Sequence, residues 1–179
     1  MTTDSSPSSA GGRRLALSRW SSWRAVAVAA LVTAVADAAF AFVAYVLIAG
    51  RFNFETLLQY IASGLLGDRA FTTGGAGIAT ATLGFAMHAT LAVAFTVFYA
   101  LIISPRVHTL TNACVAGAAY GAGIWVFMNA VVLPLGRAAR KPFLSWYYLA
   151  FGVDHALLVG LPIALILYAS THRRSGNSA

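Results

Sequence analysis

Charged residues are scarce in this sequence. They make up 9% of its 179 residues, whereas 59% are hydrophobic and the mean hydropathy is +0.75. A soluble domain carries about 25% charged residues, because these residues cover its water-facing surface. The composition therefore excludes an ordinary soluble domain. The length suits one domain, and four membrane spans of about 20 residues each would use nearly half of it.

The sequence also lacks cysteine pairs and the motifs of common enzyme classes. Its single cysteine, Cys114, excludes an internal disulfide and a redox-active cysteine pair. It also contains none of the patterns that mark serine hydrolases (G-x-S-x-G), zinc proteases (H-E-x-x-H) or nucleotide-binding proteins (the P-loop). We therefore expect a protein that is not an enzyme, with no metal site and no cofactor.

Acidic residues are fewer than basic ones, which leaves a net charge of +7 and a pI of about 10.2. The basic residues lie in short clusters beside apolar runs, rather than along one polar face. Such clusters orient membrane helices and contact anionic lipid headgroups. The expected partner is therefore the lipid bilayer, and nucleic-acid binding is excluded.

Four long apolar stretches are present, at about residues 25–49, 78–103, 110–133 and 149–170. Each is long enough to cross a bilayer as a helix. The first follows an arginine-rich start and includes Ala34-Val35-Ala36, so a cleaved signal peptide is the alternative there. Because the sequence stays apolar as far as Ile48, we favour an uncleaved helix. The predicted fold class is an all-α membrane protein, an antiparallel four-transmembrane-helix bundle.

Polar segments flank and connect the spans. Residues 1–18 are rich in Ser and Gly and are predicted to be a disordered tail, residues 19–171 the transmembrane domain, and residues 172–179 a C-terminal tail. Between the first two spans, Asn53 can cap a short amphipathic helix that Gly64 and Gly67 would end. This helix is too short to cross the membrane, so we expect it to lie in the interface.

The distribution of Lys and Arg favours cytoplasmic termini, because basic residues collect on the cytoplasmic side. Seven basic residues would then lie inside and five outside, and those ahead of the first span carry the most weight. The inner residues are Arg13, Arg14, Arg19, Arg24, Arg106, Arg173 and Arg174, and the outer ones are Arg51, Arg69, Arg137, Arg140 and Lys141.

Small residues recur at four-residue spacing on three of the spans. Gly117 and Gly121 form a GxxxG pattern on the third span, and Gly160 belongs to a similar strip on the fourth. Small residues let helix backbones approach closely in lipid, where no hydrophobic effect drives association. These glycines predict packing within the bundle, with a homo-oligomer or a membrane partner bound through Gly117 and Gly121 as the alternative. Pro162 predicts a kink in the fourth span.

Five polar side chains are predicted at membrane depth: Asp37, His88, Asn129, Asp154 and His155. A charged Asp near the middle of a span costs about 2.5–3.5 kcal/mol on insertion scales, so such residues are paired, neutral or functional. With cytoplasmic termini, the last four lie in the outer half of the bilayer. We therefore expect all five to approach one another in a polar cluster.

Three interpretations of this cluster stay open. The residues can simply hydrogen-bond and fix the helix register, or they can form a proton relay, an ion site or a site for a small polar ligand. Alternatively, His88 and His155 can ligate one haem b between helices. Because adjacent helical residues point about 100° apart, Asp154 and His155 are not expected to face one ligand together.

Several segments resemble a group of small bacterial inner-membrane proteins of unknown function. These segments are residues 58–67, Leu83–His88, Gly117–Gly121, Met128–Leu135 and His155–Ala164. More distantly, the second half resembles the YagU-like inner-membrane proteins associated with acid resistance. The resemblance implies a four-helix protein of the bacterial inner membrane but no activity, and it draws attention to His88, Asn129, Pro134 and His155. From the polar cluster itself, we expect a role in proton or envelope homeostasis.

Overall fold

The computed structural model describes residues 9–50, 52–137 and 146–175. These residues form helices joined by short connections, and no strand occurs among them. Four helices are long and apolar enough to cross a membrane: Trp23–Ile48, Gly74–Arg106, Leu110–Leu135 and Leu149–His172. The predicted fold class, an all-α four-helix membrane bundle, is therefore confirmed. We call these helices the first to fourth spans.

The first span belongs to a helix, Ser9–Phe42, that ends in a π-helical turn, Val43–Ile48. Residues 9–18 are thus helical, which corrects the prediction of a disordered tail there, while residues 1–8 lie outside the described residues. Leu15, Ala16 and Leu17 favour a helix and lead directly into the span. At the other end, the last helix continues to Ser175, inside the predicted C-terminal tail, and residues 176–179 lie outside the description.

Each of the other spans also contains a π-helical turn. The second comprises Gly74–Phe98, the π turn Tyr99–Ile103 and the 3-10 turn Ser104–Arg106. The third comprises Leu110–Phe127, the π turn Met128–Val132 and Leu133–Leu135. The fourth comprises Trp146–Asp154, the π turn His155–Gly160 and Leu161–Ser175. A π turn pairs residue i with i+5 and winds more slowly than an α-helix, so it changes which side chains share a face.

The π turn His155–Gly160 ends two residues before Pro162, where the sequence predicts a kink. Proline has no N–H to donate, and its ring crowds the carbonyl four residues earlier. A π turn at this place gives the crowded carbonyl more room, so the helix continues past the proline without a break.

The first span lies between the second and the fourth, and the fourth packs against the third. Aromatic side chains join the second span to the third. The hydroxyl of Tyr120 donates to the carbonyl oxygen of Phe95 at 2.8 Å, and its ring stacks on Phe98 with centroids 6.1 Å apart. The central position of the first span decides which helices its inward-facing side chains meet.

Three glycines lie where the third and fourth spans touch. A methyl group at Gly160 would overlap the carbonyl oxygen of Gly117, and one at Gly121 would overlap the carbonyl oxygen of His155. The backbones therefore approach as closely as glycine alone permits. Because the fourth span of the same chain covers this face, we do not retain a dimer through Gly117 and Gly121.

The outward surface of the spans is rich in large apolar side chains, for example Leu31, Leu101, Val115 and Val153. This apolar surface is far larger than the apolar patches that soluble monomers expose to water. It suits contact with lipid tails, as expected from the composition.

A short helix, Phe54–Leu66, connects the first two spans and packs on the first half of the second. As predicted, the side chain of Asn53 caps it by accepting from the backbone N–H of Thr56 at 2.7 Å. It ends at Gly67, whose φ of +60° lies in the left-handed region that favours glycine.

Gln59 anchors this connecting helix to the start of the second span. Its side chain is buried, with 4% exposed, and its Nε2 donates to Glu55 Oε1 at 3.1 Å and to the carbonyl oxygen of Thr72 at 2.9 Å. The connection is thereby held against the bundle by side-chain hydrogen bonds as well as by apolar packing.

Candidate functional site: an intramembrane carboxylate–histidine cluster

Asp37 occupies the centre of the candidate site. It follows Thr33 and Ala34 on the inward face of the first span, at the three- and four-residue spacing that keeps helical side chains on one side. Because the first span lies between the second and the fourth, Asp37 reaches histidines on both. Its Oδ2 lies 3.7 Å from His88 Nδ1, and its Oδ1 lies 3.9 Å from His155 Nδ1. These distances permit ion pairing but exceed those of good hydrogen bonds.

Backbone carbonyls orient both histidine rings. His88 Nε2 lies 3.0 Å from the carbonyl oxygen of Ala34, and His155 Nδ1 lies 2.9 Å from that of Phe151. A carbonyl only accepts, so the nitrogen facing it must carry a proton and donate. In neutral His88 the lone pair is therefore on Nδ1, the nitrogen that faces Asp37.

Asp154 is the most deeply buried member of the cluster. Its side chain is 0% exposed, and neither of its carboxyl oxygens has a hydrogen-bond partner among the described residues. Its Oδ2 lies 3.3 Å from His155 Nδ1, but the N–H of that nitrogen points to Phe151. A buried polar group without a partner costs about 1–3 kcal/mol, more when it is charged, so such groups call for an explanation.

Asp154 and His155 face the same centre, which corrects the expectation that they point apart. One ligand atom from each of Asp37, Asp154 and His155 lies within 4.8 Å of the others. Although the two residues are adjacent on the helix, their side chains converge at their ends, where Asp154 Oδ2 lies 3.3 Å from His155 Nδ1. We call Asp37, His88, Asp154 and His155 the carboxylate–histidine cluster.

A cavity of about 80 Å³ opens beside this cluster. That volume holds a few water molecules or a partly hydrated ion. Its polar walls come from the first, second and fourth spans, and the third span contributes apolar side chains. The lining includes Thr33, Asp37, His88, Phe95, Met128 and His155.

Asn129 was predicted to join the cluster but does not line this cavity. Its side-chain Nδ2 donates to the carbonyl oxygen of Trp125 at 2.8 Å, within its own helix. From the third span, Ile124 and Met128 line the cavity instead. The predicted depth of Asn129 in the bilayer suggested the cluster, but depth alone does not determine which side of a helix a residue faces.

Thr33 was missed as a contact between spans. Its hydroxyl lies 3.5 Å from the carbonyl oxygen of Val159 on the fourth span, and its side chain is buried. Its position on the inward face, one turn before Asp37, was the available signal.

A haem does not fit between His88 and His155. Both rings lie within 4 Å of one carboxylate, and the adjoining cavity of about 80 Å³ is well below the roughly 300 Å³ at which pockets for drug-sized ligands begin. The haem alternative would require the first and fourth spans to separate around a macrocycle.

The chain matches no protein-family model, no curated protein and no solved structure. The resemblance to small bacterial inner-membrane proteins therefore stays a prediction.

Proposed function

We propose that this chain is a non-enzymatic protein of the bacterial inner membrane that binds a small cation in the carboxylate–histidine cluster and thereby takes part in proton or cation homeostasis of the envelope. The observation that carries the proposal is the buried carboxyl group of Asp154, which has no hydrogen-bond partner among the described residues and lies beside a second carboxyl, that of Asp37.

Charge supports this proposal. Two carboxylates a few ångströms apart repel strongly where water is excluded. A single charge in the bilayer already costs a few kcal/mol. A cation between Asp37 and Asp154 would remove both penalties, and the cavity beside Asp37 and His155 has room for water that would hydrate it. A proton, a monovalent ion and a divalent ion would each reduce the repulsion between the two carboxylates.

The cation can be sought through its effect on stability. We expect the melting temperature of the purified protein in detergent to rise with at least one cation, supplied as lower pH, as sodium or as a divalent chloride. A ligand at 100 times its dissociation constant stabilises a fold by about 2.7 kcal/mol. In the double variant Asp37→Asn, Asp154→Asn the rise should disappear, because the carboxylates are gone.

Asp68→Asn is the matched control, since Asp68 is exposed in the connection between the first two spans. This variant should keep the full response to the cation. A protein that responds to no cation, or a double variant that responds as the wild type does, would contradict the proposed function and leave the cluster a purely structural element.

Both termini are proposed to lie in the cytoplasm, because seven of the twelve Lys and Arg residues, including all four at or ahead of the start of the first span, then fall on that side. A reporter scan checks this orientation. Alkaline phosphatase fused after Val107 or after Ser175 should be inactive, and the same enzyme fused after Gly136 should be active. Activity after Ser175 but not after Val107 would put the ends of the chain and the Ser104–Thr109 connection on opposite faces, and would contradict the four-span topology.

A further inference from the structure

We propose that the bound cation is a divalent metal ion held by Asp37, Asp154 and His155, an inference that rests on the proposed function and names its ligand. It departs from the sequence-based expectation of no metal site. Two carboxylates and one imidazole offer atoms that lie within 4.8 Å of one another. In a tetrahedral zinc site, oxygen and nitrogen ligand atoms at about 2.0–2.2 Å from the metal lie about 3.3–3.6 Å from one another. A small inward movement of these side chains closes the site.

The orphaned carboxyl of Asp154 is a second and independent observation that points to a ligand. Its side chain is 0% exposed and directed at the other two groups, and neither oxygen is hydrogen-bonded to a described residue. Bilayer proteins rarely place a carboxyl at this depth without a partner. A metal ion would supply the partner that the protein does not.

Charge favours a divalent over a monovalent ion. With neutral imidazoles, the two carboxylates contribute two negative charges, which a divalent cation cancels and a monovalent cation does not. The donor atoms then select among divalent ions. Imidazole nitrogen suits zinc and other transition metals, whereas magnesium and calcium prefer oxygen ligands alone.

The two histidines differ in whether the Nδ1 that faces the carboxyl groups carries a lone pair, as a metal-binding nitrogen must. His88 donates Nε2–H to the carbonyl of Ala34, which leaves its Nδ1 lone pair directed at Asp37. Metal-binding histidines are commonly held through such a bond from the other nitrogen to a carbonyl. His88 nevertheless lies outside the three-residue group, so its role is to orient the carboxyl group of Asp37. For His155 to bind through Nδ1, the ring proton must move to Nε2 and its bond to the carbonyl of Phe151 must break.

Metal binding to the purified full-length protein tests this inference. The protein is first freed of metal with a chelator, and equilibrium dialysis then measures the uptake of Zn²⁺, Mn²⁺ and Mg²⁺. We expect one Zn²⁺ or Mn²⁺ per chain and much weaker binding of Mg²⁺. Asp154→Asn should weaken binding of the transition metal at least tenfold.

His172→Gln is the control, because His172 is an exposed histidine stacked on Tyr168 at the end of the fourth span. This variant should bind as the wild type does. If binding were lost in His172→Gln but kept in Asp154→Asn, the metal would occupy an adventitious surface site and the inference would be wrong.

Cobalt provides a second measurement that does not depend on comparing affinities. Co²⁺ bound through an imidazole absorbs visible light, and the band should change in His155→Gln and persist in His172→Gln. An unchanged band in His155→Gln would overturn the assignment of that ligand even if Asp154→Asn failed to fold.

The two proposals fail in different ways. If no metal binds in stoichiometric amount, but low pH or sodium still stabilises the wild type and not the Asp37→Asn, Asp154→Asn variant, the metal inference is wrong and the cation site stands. If neither a metal, a proton nor sodium distinguishes these proteins, both proposals are wrong.

Discussion

Replacing Gly121 by alanine is expected to lower the free energy of unfolding by about 3 kcal/mol, at the upper end of typical overpacking effects. The added methyl group would overlap the carbonyl oxygen of His155 and lie 2.9 Å from the Cα of Ala156, both on the fourth span. These are backbone atoms, so they cannot rotate away as a side chain can. The third and fourth spans would have to separate, and His155 would move with them.

Gly123→Ala, on the same helix, is the matched control. A methyl group there would meet nothing within 4 Å, so alanine should be neutral or slightly stabilising through its higher helix propensity. Unfolding of both variants in mixtures of SDS and mild detergent, followed by circular dichroism, measures the difference. Equal midpoints for the two variants would show that the spans do not approach each other as closely as described.

Asp154→Val is expected to stabilise the cation-free protein by about 2 kcal/mol and to abolish its response to the cation. The carboxyl group is buried without a described hydrogen-bond partner, so replacing it by an apolar group of similar shape removes the cost of burying it. Stability and cation binding should therefore change in opposite directions.

The same unfolding measurement, made in the presence of a chelator, checks this expectation. Asp68→Val, at an exposed position, should change the free energy of unfolding by less than about 0.5 kcal/mol. A destabilised Asp154→Val variant would mean that the carboxyl group holds the bundle together. That outcome would favour the interpretation in which the polar residues only fix the helix register.

The fold class followed from the sequence because lipid leaves the backbone few choices. A chain in the bilayer must satisfy its own peptide groups, so long apolar stretches with few charges become helices. The local sequence was also sufficient to predict features that depend only on neighbouring residues. These are the cap at Asn53 and the end of the connecting helix at Gly67. The helical start at Ser9 was missed, because a Ser- and Gly-rich composition does not reveal a helix that continues from a membrane span.

The cluster could be predicted only in part. Asp37 and His88 were found because polar residues in apolar runs are conspicuous, but their depth does not say which way they face. Asn129 shares that depth and lies elsewhere, bonded within its own helix. Asp154 and His155 converge only at the ends of their side chains, and the spacing of residues along a helix contains no signal for that geometry.

The most direct test of the metal site is an anomalous diffraction map of the protein crystallised with Zn²⁺. The proposed site predicts one strong peak between the carboxyl groups of Asp37 and Asp154, at about 2.0–2.2 Å from its oxygen and nitrogen ligand atoms. A map without a peak there, with Asp154 hydrogen-bonded to another side chain of the bundle, would contradict it.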